Sequence, residues 1–407
     1  MNECRNVDVL VFGGGPAGFA AALAASRAGA STLLIERSGR LGGMATNALV
    51  SPFLGMVKGN FVNDIIDRLG GREVDPSTLD LKYADMLVQD NAQILLHTCA
   101  ISANIDGDRV TGCSAFTKQG RIDISAAVTI DASGDGDIAY SAGVPFEQGR
   151  PGDGLTQPVS IMFRIGGVEP SPLLCGSEGE AAALTLPAGT WEQIVERGMR
   201  EGELPENVGV IRTYATRRPS EVTVNATQVN YIDGTSPDDL TRAELEGRRQ
   251  AHIVTEFLRK HAPGYENCFI SEMPAVVGVR ETRRFLGCDY LTRADLLEGR
   301  KRPDAVVEDA LFVIDIHNPD GPGQSEGSAV ECRPYDIPYG CLVPREIDGL
   351  LLAGRCISGS HDAHASYRVM TICLGIGAAA GAAAAISARR RISPRQVKPE
   401  EIRAAIN

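Results

Sequence analysis

The apolar pattern of the first forty residues changes period twice. Residues 7–12 are a short β-prone apolar run, which predicts a buried strand. Residues 20–28 are alanine-rich and predict a helix, and residues 31–35 are a second apolar run that ends at Glu36. Between the first run and the helix, Gly13, Gly15 and Gly18 fall as G-x-G-x-x-G. Strand, glycine turn, helix, strand and terminal acid in this order form the βαβ unit that binds dinucleotides. Gly13 permits the tight turn, Gly15 lets a pyrophosphate approach the backbone, and Gly18 lets helix and strand pack closely. Glu36 lies at about the 20-residue spacing of a ribose-binding acid, and its charge repels a 2′-phosphate. An isolated glycine loop would lack these flanking patterns.

Further along, residues 79–90 have helical spacing and residues 93–98 read as a strand, followed by the short run 99–101. Residues 103–105 and 109–117 flank Asp106-Gly107, a hairpin signal, and residues 121–124 add a strand. Residues 126–131 form a buried strand that enters Ala132-Ser-Gly-Asp-Gly-Asp137. From about Arg150 the pattern changes. Strands are expected at 158–166 and 221–231, a loop at 170–190, and a short helix at 191–201. A charged amphipathic helix is expected at 238–261, with Asp238 or Asp239 as N-cap. Residues 349–358 read as a strand ending in Ala-Gly-Arg, and residues 369–386 as one long Ala/Gly helix that Arg389–Arg391 closes. That run is long enough to consider as a membrane span, and Gly377 and Gly381 form a G-x-x-x-G. Its Ala/Gly content instead predicts a buried helix.

A chain of 407 residues has room for two or three domains. A net charge of −12 argues against a nucleic-acid partner. The ten cysteines are scattered with no C-x-x-C, so no metal site is expected and a reducing, cytoplasmic setting is.

Two later stretches carry a family resemblance. Leu41-Gly-Gly-Met-Ala-Thr46 puts a second glycine turn just after the ribose acid, and Ser133-Gly134-Asp135 closes a β-meander. With Gly278 to Arg284, Asp315 to His317 and Ala353 to Met370, nearly the whole chain resembles the FAD-dependent oxidoreductases related to the fumarate reductase and succinate dehydrogenase flavoproteins. The resemblance implies an α/β fold. A Rossmann-like, glutathione-reductase-type FAD-binding domain with a β-meander (1–155 plus 331–407) would be interrupted by an α+β cap or substrate domain (156–330). It implies FAD along Gly13, Gly15, Pro16, Ala17 and Gly18, with Glu36 and Arg37 at the adenosine ribose and Ala100 near the adenine. Gly42, Gly43, Met44 and Ala45 would pass under the flavin, beside the Ser133, Gly134 and Asp135 turn. Gly354, Arg355, Arg368, Val369 and Met370 would close over the ring. Where the covalent-flavin branch has a histidine before Thr-Gly-Gly, this chain has Arg40-Leu41-Gly42-Gly43, so the FAD is expected to be non-covalent.

The residues themselves suggest the remaining chemistry. Arg280, Glu281, Arg283 and Arg284 form a dense charged stretch that reads equally as an anion-binding fork or an internal ion-pair cluster. Arg283 or Arg284 is the expected substrate anchor. His317 is the expected acid–base residue, against a purely structural role, and His361 or His364 is the reserve. Tyr335 and Tyr339 read as packing residues. The expected activity is hydride transfer between flavin and a small polar organic substrate. A flavin monooxygenase and a flavin-carrying subunit without turnover are the alternatives. No second βαβ unit is apparent, so an external electron donor or acceptor is needed; homo-oligomerisation is left open.

Overall fold

The computed structural model describes residues 4–323 and 329–406. Five parallel strands form its centre in the order Gln93–Leu95, Thr32–Ile35, Cys4–Phe12, Gly120–Asp131 and Leu350–Leu352. The short strand Thr32–Ile35 is buried throughout, as a parallel sheet covered on both faces requires. Gly120–Asp131 belongs to two structures at once. Its first half pairs antiparallel with Arg109–Thr117, which pairs in turn with Cys99–Asp106 to make the meander, while residues 129–131 pair parallel with Leu350–Leu352. This double membership is why its two halves read as separate strands from sequence.

The helix Pro16–Arg27 packs against the long helix Met370–Arg390, and both also touch this sheet. The G-x-x-x-G pair explains how. A Cβ on Gly377 would stand 2.0 Å from the Ala17 carbonyl oxygen, and one on Gly381 2.1 Å from that of Ala21, so only hydrogen at both positions lets the two backbones touch. Met370–Arg390 is the one helix among the described residues long and apolar enough to cross a membrane, and its apolar span is wholly buried in protein. Tyr335 and Tyr339 are buried, with their hydroxyls on Ser366 Oγ (2.9 Å) and the Pro394 carbonyl (2.8 Å).

A second core, from Val159 to Val279, is built on an antiparallel sheet in the order Arg212–Ala215, Glu221–Asn225, Met162–Gly166, Phe269–Glu272. Trp191 is fully buried in it, at the start of the helix Trp191–Arg200. The cap core ends well short of residue 330. Phe285, Leu291, Val306 and Ile314 pack into the nucleotide-side core, where Ala305–Leu311 forms a sheet with Met56–Lys58 and Tyr335–Pro338. By core membership the boundary lies near 280. The long cap helix is Pro237–His261, and its N-cap is Ser236, whose hydroxyl accepts from the Asp239 amide, rather than Asp238 or Asp239. Pro237 fixes this, because proline suits the first helical position and places the cap one residue earlier. Residues 170–190, expected as loop, contain the helix Glu178–Ala183 and a small hairpin, Thr185–Leu186 with Gly189–Thr190.

Candidate active site

The glycine turn is closed by contacts only glycine allows. Gly13 has φ +102°, and a Cβ on Gly18 would lie 1.8 Å from the Gly13 carbonyl oxygen. The helix that follows begins at Gly15 with no side-chain cap, so its N-cap satisfies none of its leading amides. Glu36 is buried and accepts from the Gly14 amide (2.7 Å) and the Ser38 amide (2.7 Å), which ties the acid to the turn. The second glycine turn lies directly against the first. The Gly42 amide donates to the Gly14 carbonyl (2.7 Å), and a Cβ on Gly43 would lie 2.8 Å from the Gly15 Cα. The Thr98 amide donates to the Glu36 carbonyl (2.9 Å), which sets the start of the strand carrying Ala100 beside the acid. Arg37 is exposed next to it, and Ala45 is buried in the short helix Met44–Asn47.

The third turn is held by two side chains. Ser133 Oγ donates to Asp131 Oδ1 (2.7 Å) and accepts from the Gly136 amide (2.8 Å), so serine does serve as the turn's hydroxyl. Asp135 Oδ1 accepts from Arg355 (2.7 Å) and from the Thr282 hydroxyl (2.9 Å). Arg355 lies over Gly134, where a Cβ would meet its guanidinium at 2.6 Å, and reaches across to the Val279 carbonyl at 2.5 Å.

A cavity of about 890 Å³ opens between this region and the cap. Met44, Arg355, Arg368, Val369 and Met370 bound it from the nucleotide side, and Ser160, Met162 and Arg280 from the cap. Its inner end is charged. Arg368 donates to both the carbonyl (3.0 Å) and the carboxylate (2.9 Å) of Asp315, and His317 Nε2 stands 3.4 Å from the same carboxylate. Burial and the charge of Arg280 push the His317 pKa down to about 4, so the imidazole is neutral at physiological pH. Arg280 donates to the Pro158 carbonyl (2.7 Å) and has no carboxylate within ion-pair distance among the described residues. Burial and neighbouring Arg368 push its pKa down to about 9, which still leaves it charged at neutrality.

Of the residues nominated as acid–base residue or substrate anchor, His317 lines the cavity and Arg283, Arg284, His361 and His364 do not, while Arg280 of the charged stretch does. Arg284 is buried in an ion pair with Glu281 and donates to the Gly149 and Gly359 carbonyls (both 3.0 Å). Arg283 stacks over the Tyr140 ring, 4.1 Å from its centroid, and donates to the Asp135 carbonyl at 3.2 Å. Both are committed internally and neither lines the cavity, which counts against the expectation that one of them anchors the substrate. The reserve histidines also lie behind the cavity wall. His361 Nδ1 is 2.9 Å from the fully buried Glu281 carboxylate. His364 is buried without a hydrogen-bond partner among the described residues, and burial and then Arg284 lower its pKa well below the usual histidine value. The charge density of residues 280–284 pointed to this region, but which of its arginines lines the cavity, Arg280, was missed.

The site fits an extended dinucleotide. Two facing glycine turns leave room only for backbone, the helices from Pro16 and Met370 both start without side-chain caps, and Nε of Arg355 and of Arg368 are buried with no acceptor among the described residues. A family model described as FAD dependent oxidoreductase matches residues 8–406. Among solved structures, a geranylgeranyl bacteriochlorophyll reductase-like protein of Thermoplasma acidophilum is similar with TM-score 0.51 and 14% identity, over 99% of this chain and 83% of that one. A flavin-dependent brominase, Bmp2, aligns with TM-score 0.48 and 14% identity, over 98% of this chain and 83% of that one. At such identities the likeness concerns the fold alone. Matched along almost its whole length and built around a cradle that fits the cofactor, the chain belongs to the FAD-dependent oxidoreductases, and FAD is its cofactor.

Proposed function

We propose that the chain is a flavin dehydrogenase or reductase acting on an organic anion at the inner end of the cavity. The observation that carries this is Arg280, a guanidinium lining the cavity with one carbonyl partner, no carboxylate within ion-pair distance among the described residues and a second arginine beside it. Such a group calls for an anion. When bound, FAD supplies the two-electron acceptor or donor. Gly15, Pro16, Ala17 and Gly18 would hold its pyrophosphate and Glu36 its ribose, with Arg355 and the amides at Val369 and Met370 near the ring. Arg280 would orient the substrate. His317 would take or return the accompanying proton. Asp315 beside Nε2 favours the tautomer protonated there, which leaves Nδ1 as the basic nitrogen. The finer relation to the fumarate reductase and succinate dehydrogenase flavoproteins, non-covalent FAD and an external electron partner belong to the same proposal.

The test is anaerobic titration of the FAD-loaded protein with hydroxy acids, amino acids and, after chemical reduction, unsaturated acids, following flavin absorbance. At least one class should bleach or restore the flavin. Arg280→Met should raise its apparent Kd at least tenfold with FAD content unchanged. If no compound exchanges electrons anaerobically, and the reduced protein instead oxygenates an added substrate in air, the chain is a monooxygenase.

A further inference from the structure

The cavity holds more than the groups at its inner end require, and this carries the reading of the site to a substrate class. About 890 Å³ is near the top of the ~300–1,000 Å³ range of sites that enclose drug-sized ligands; the flavin ring would take the part lined by Met44, Arg355, Val369 and Met370, and the rest is left to a substrate. Away from Arg280, Asp315 and His317 the wall is mixed: Val50, Pro52 and Leu54 from the nucleotide side and Met162 and Leu174 from the cap form an apolar part, beside polar side chains such as Thr213, Thr223 and Asn225. Leu54 and Leu174 leave 46% and 42% of their surfaces uncovered. Two large apolar side chains left bare on the wall of one cavity mark a surface that a ligand covers.

The charges in the cavity provide for one anionic group. Arg368 is held by Asp315, and Arg355 by Asp135. Towards the other end, Arg164 pairs with Asp75 (3.2 Å), Glu221 (3.4 Å) and Glu272 (3.2 Å), and Arg218 with Asp75 (2.6 Å). Arg217 on the rim is exposed, where a pair contributes little. A compact diacid would therefore find one cavity-lining cation with no carboxylate at ion-pair distance among the described residues, and an apolar space it cannot fill.

We infer that the substrate is an amphipathic acid, with one anionic head at Arg280 and an apolar body lying between Leu54 and Leu174. The inference rests on the cavity being the reaction site.

The experiment measures binding to the FAD-loaded protein through perturbation of the flavin spectrum. Its probes are straight-chain saturated carboxylates from acetate to decanoate, kept below micelle-forming concentrations, with succinate as the compact diacid. Kd should fall about fourfold per added methylene until the space is filled, and octanoate should bind more tightly than succinate. Leu54→Asn and Leu174→Asn, at partly bare positions that the fold tolerates, should flatten this dependence while leaving acetate unaffected. Arg280→Met should weaken every acid by a similar factor and keep the slope. Affinity independent of length, or succinate tighter than octanoate, overturns the inference. If the length dependence appears but no amphipathic hydroxy or unsaturated acid exchanges electrons with the flavin, the ligand class stands and the dehydrogenase or reductase assignment falls.

Discussion

Arg280 and Arg284 lie four residues apart and meet opposite fates. One faces a cavity, while the other is sealed with Glu281, whose side chain is fully buried. Their substitutions should differ accordingly. Arg284→Met leaves the Glu281 carboxylate with an unbalanced charge, which costs about 3–5 kcal/mol and should lower the urea midpoint; Arg280→Met should act on ligand affinity instead. His317 gives a pH signature. Its folded pKa of about 4 lies below the unfolded value near 6.5, so the unfolded chain binds the extra proton across that interval. Stability is therefore full above about 6.5 and falls, by up to about 1.4 kcal/mol per pH unit from this group, as pH drops towards 4. His364 acts in the same direction. Replacing His317 with Gln should flatten acid unfolding between pH 6.5 and 4, measured as the urea midpoint against pH. If His317 is also the proton acceptor, His317→Ala slows anaerobic flavin reduction by about 10²–10⁴-fold with FAD retained. Glu36→Gln should weaken FAD binding about 10–150-fold in titration of the apoprotein, the equivalent of one charge-assisted hydrogen bond. The two facing glycine turns and the acid tied to them were legible because glycines and a terminal acid have few substitutes at those positions. Which arginine lines the cavity was not, because a run of arginines states charge but not which side chain the chain turns inwards.

The two helices that meet through Gly377 and Gly381 test the architecture at the level of elements. Gly377→Val would drive a side chain into the Ala17 carbonyl, which a packed interior absorbs only by moving a backbone. A loss of about 1–3 kcal/mol is expected, together with weaker FAD retention, because Ala17 sits at the start of the helix that follows the glycine turn. Gly179→Ala is the control, since a Cβ there meets nothing within 4 Å and no strain opposes it. Thermal unfolding and FAD release on dilution read both effects. Long periodic elements were readable in advance. The G-x-x-x-G was visible too, but a glycine pair does not say whether it faces lipid or another helix, and only the Ala/Gly content of its flanks decided between them. The boundary near 280 escaped for a related reason. The strand Ala305–Leu311 is apolar like those of the cap, and hydrophobicity alone does not say which of two cores a strand joins.

Across the whole molecule, cap and nucleotide fold are tied beside the cavity by Arg164, which is nearly fully buried among Asp75, Glu221 and Glu272. Burial works to raise the Asp75 pKa, but Arg164 and Arg218 outweigh it and hold the carboxyl below its usual value, so the tie persists through neutral pH. Arg164→Leu should destabilise the protein by about 3–5 kcal/mol and loosen ligand binding without altering the flavin spectrum. The central sheet adds a constraint in time. Its strand Leu350–Leu352 and the helix Met370–Arg390 complete a unit whose glycine turn is made some 350 residues earlier. A ribosome delivers those parts in order, so most of the chain leaves the tunnel before the nucleotide fold can close. The nascent chain should therefore stay colourless until Leu350–Leu352 and Met370–Arg390 have emerged, and take up FAD only then. Ribosome-bound chains stalled before Leu350 should carry no flavin, and chains extended by a tunnel-length linker should carry it fully.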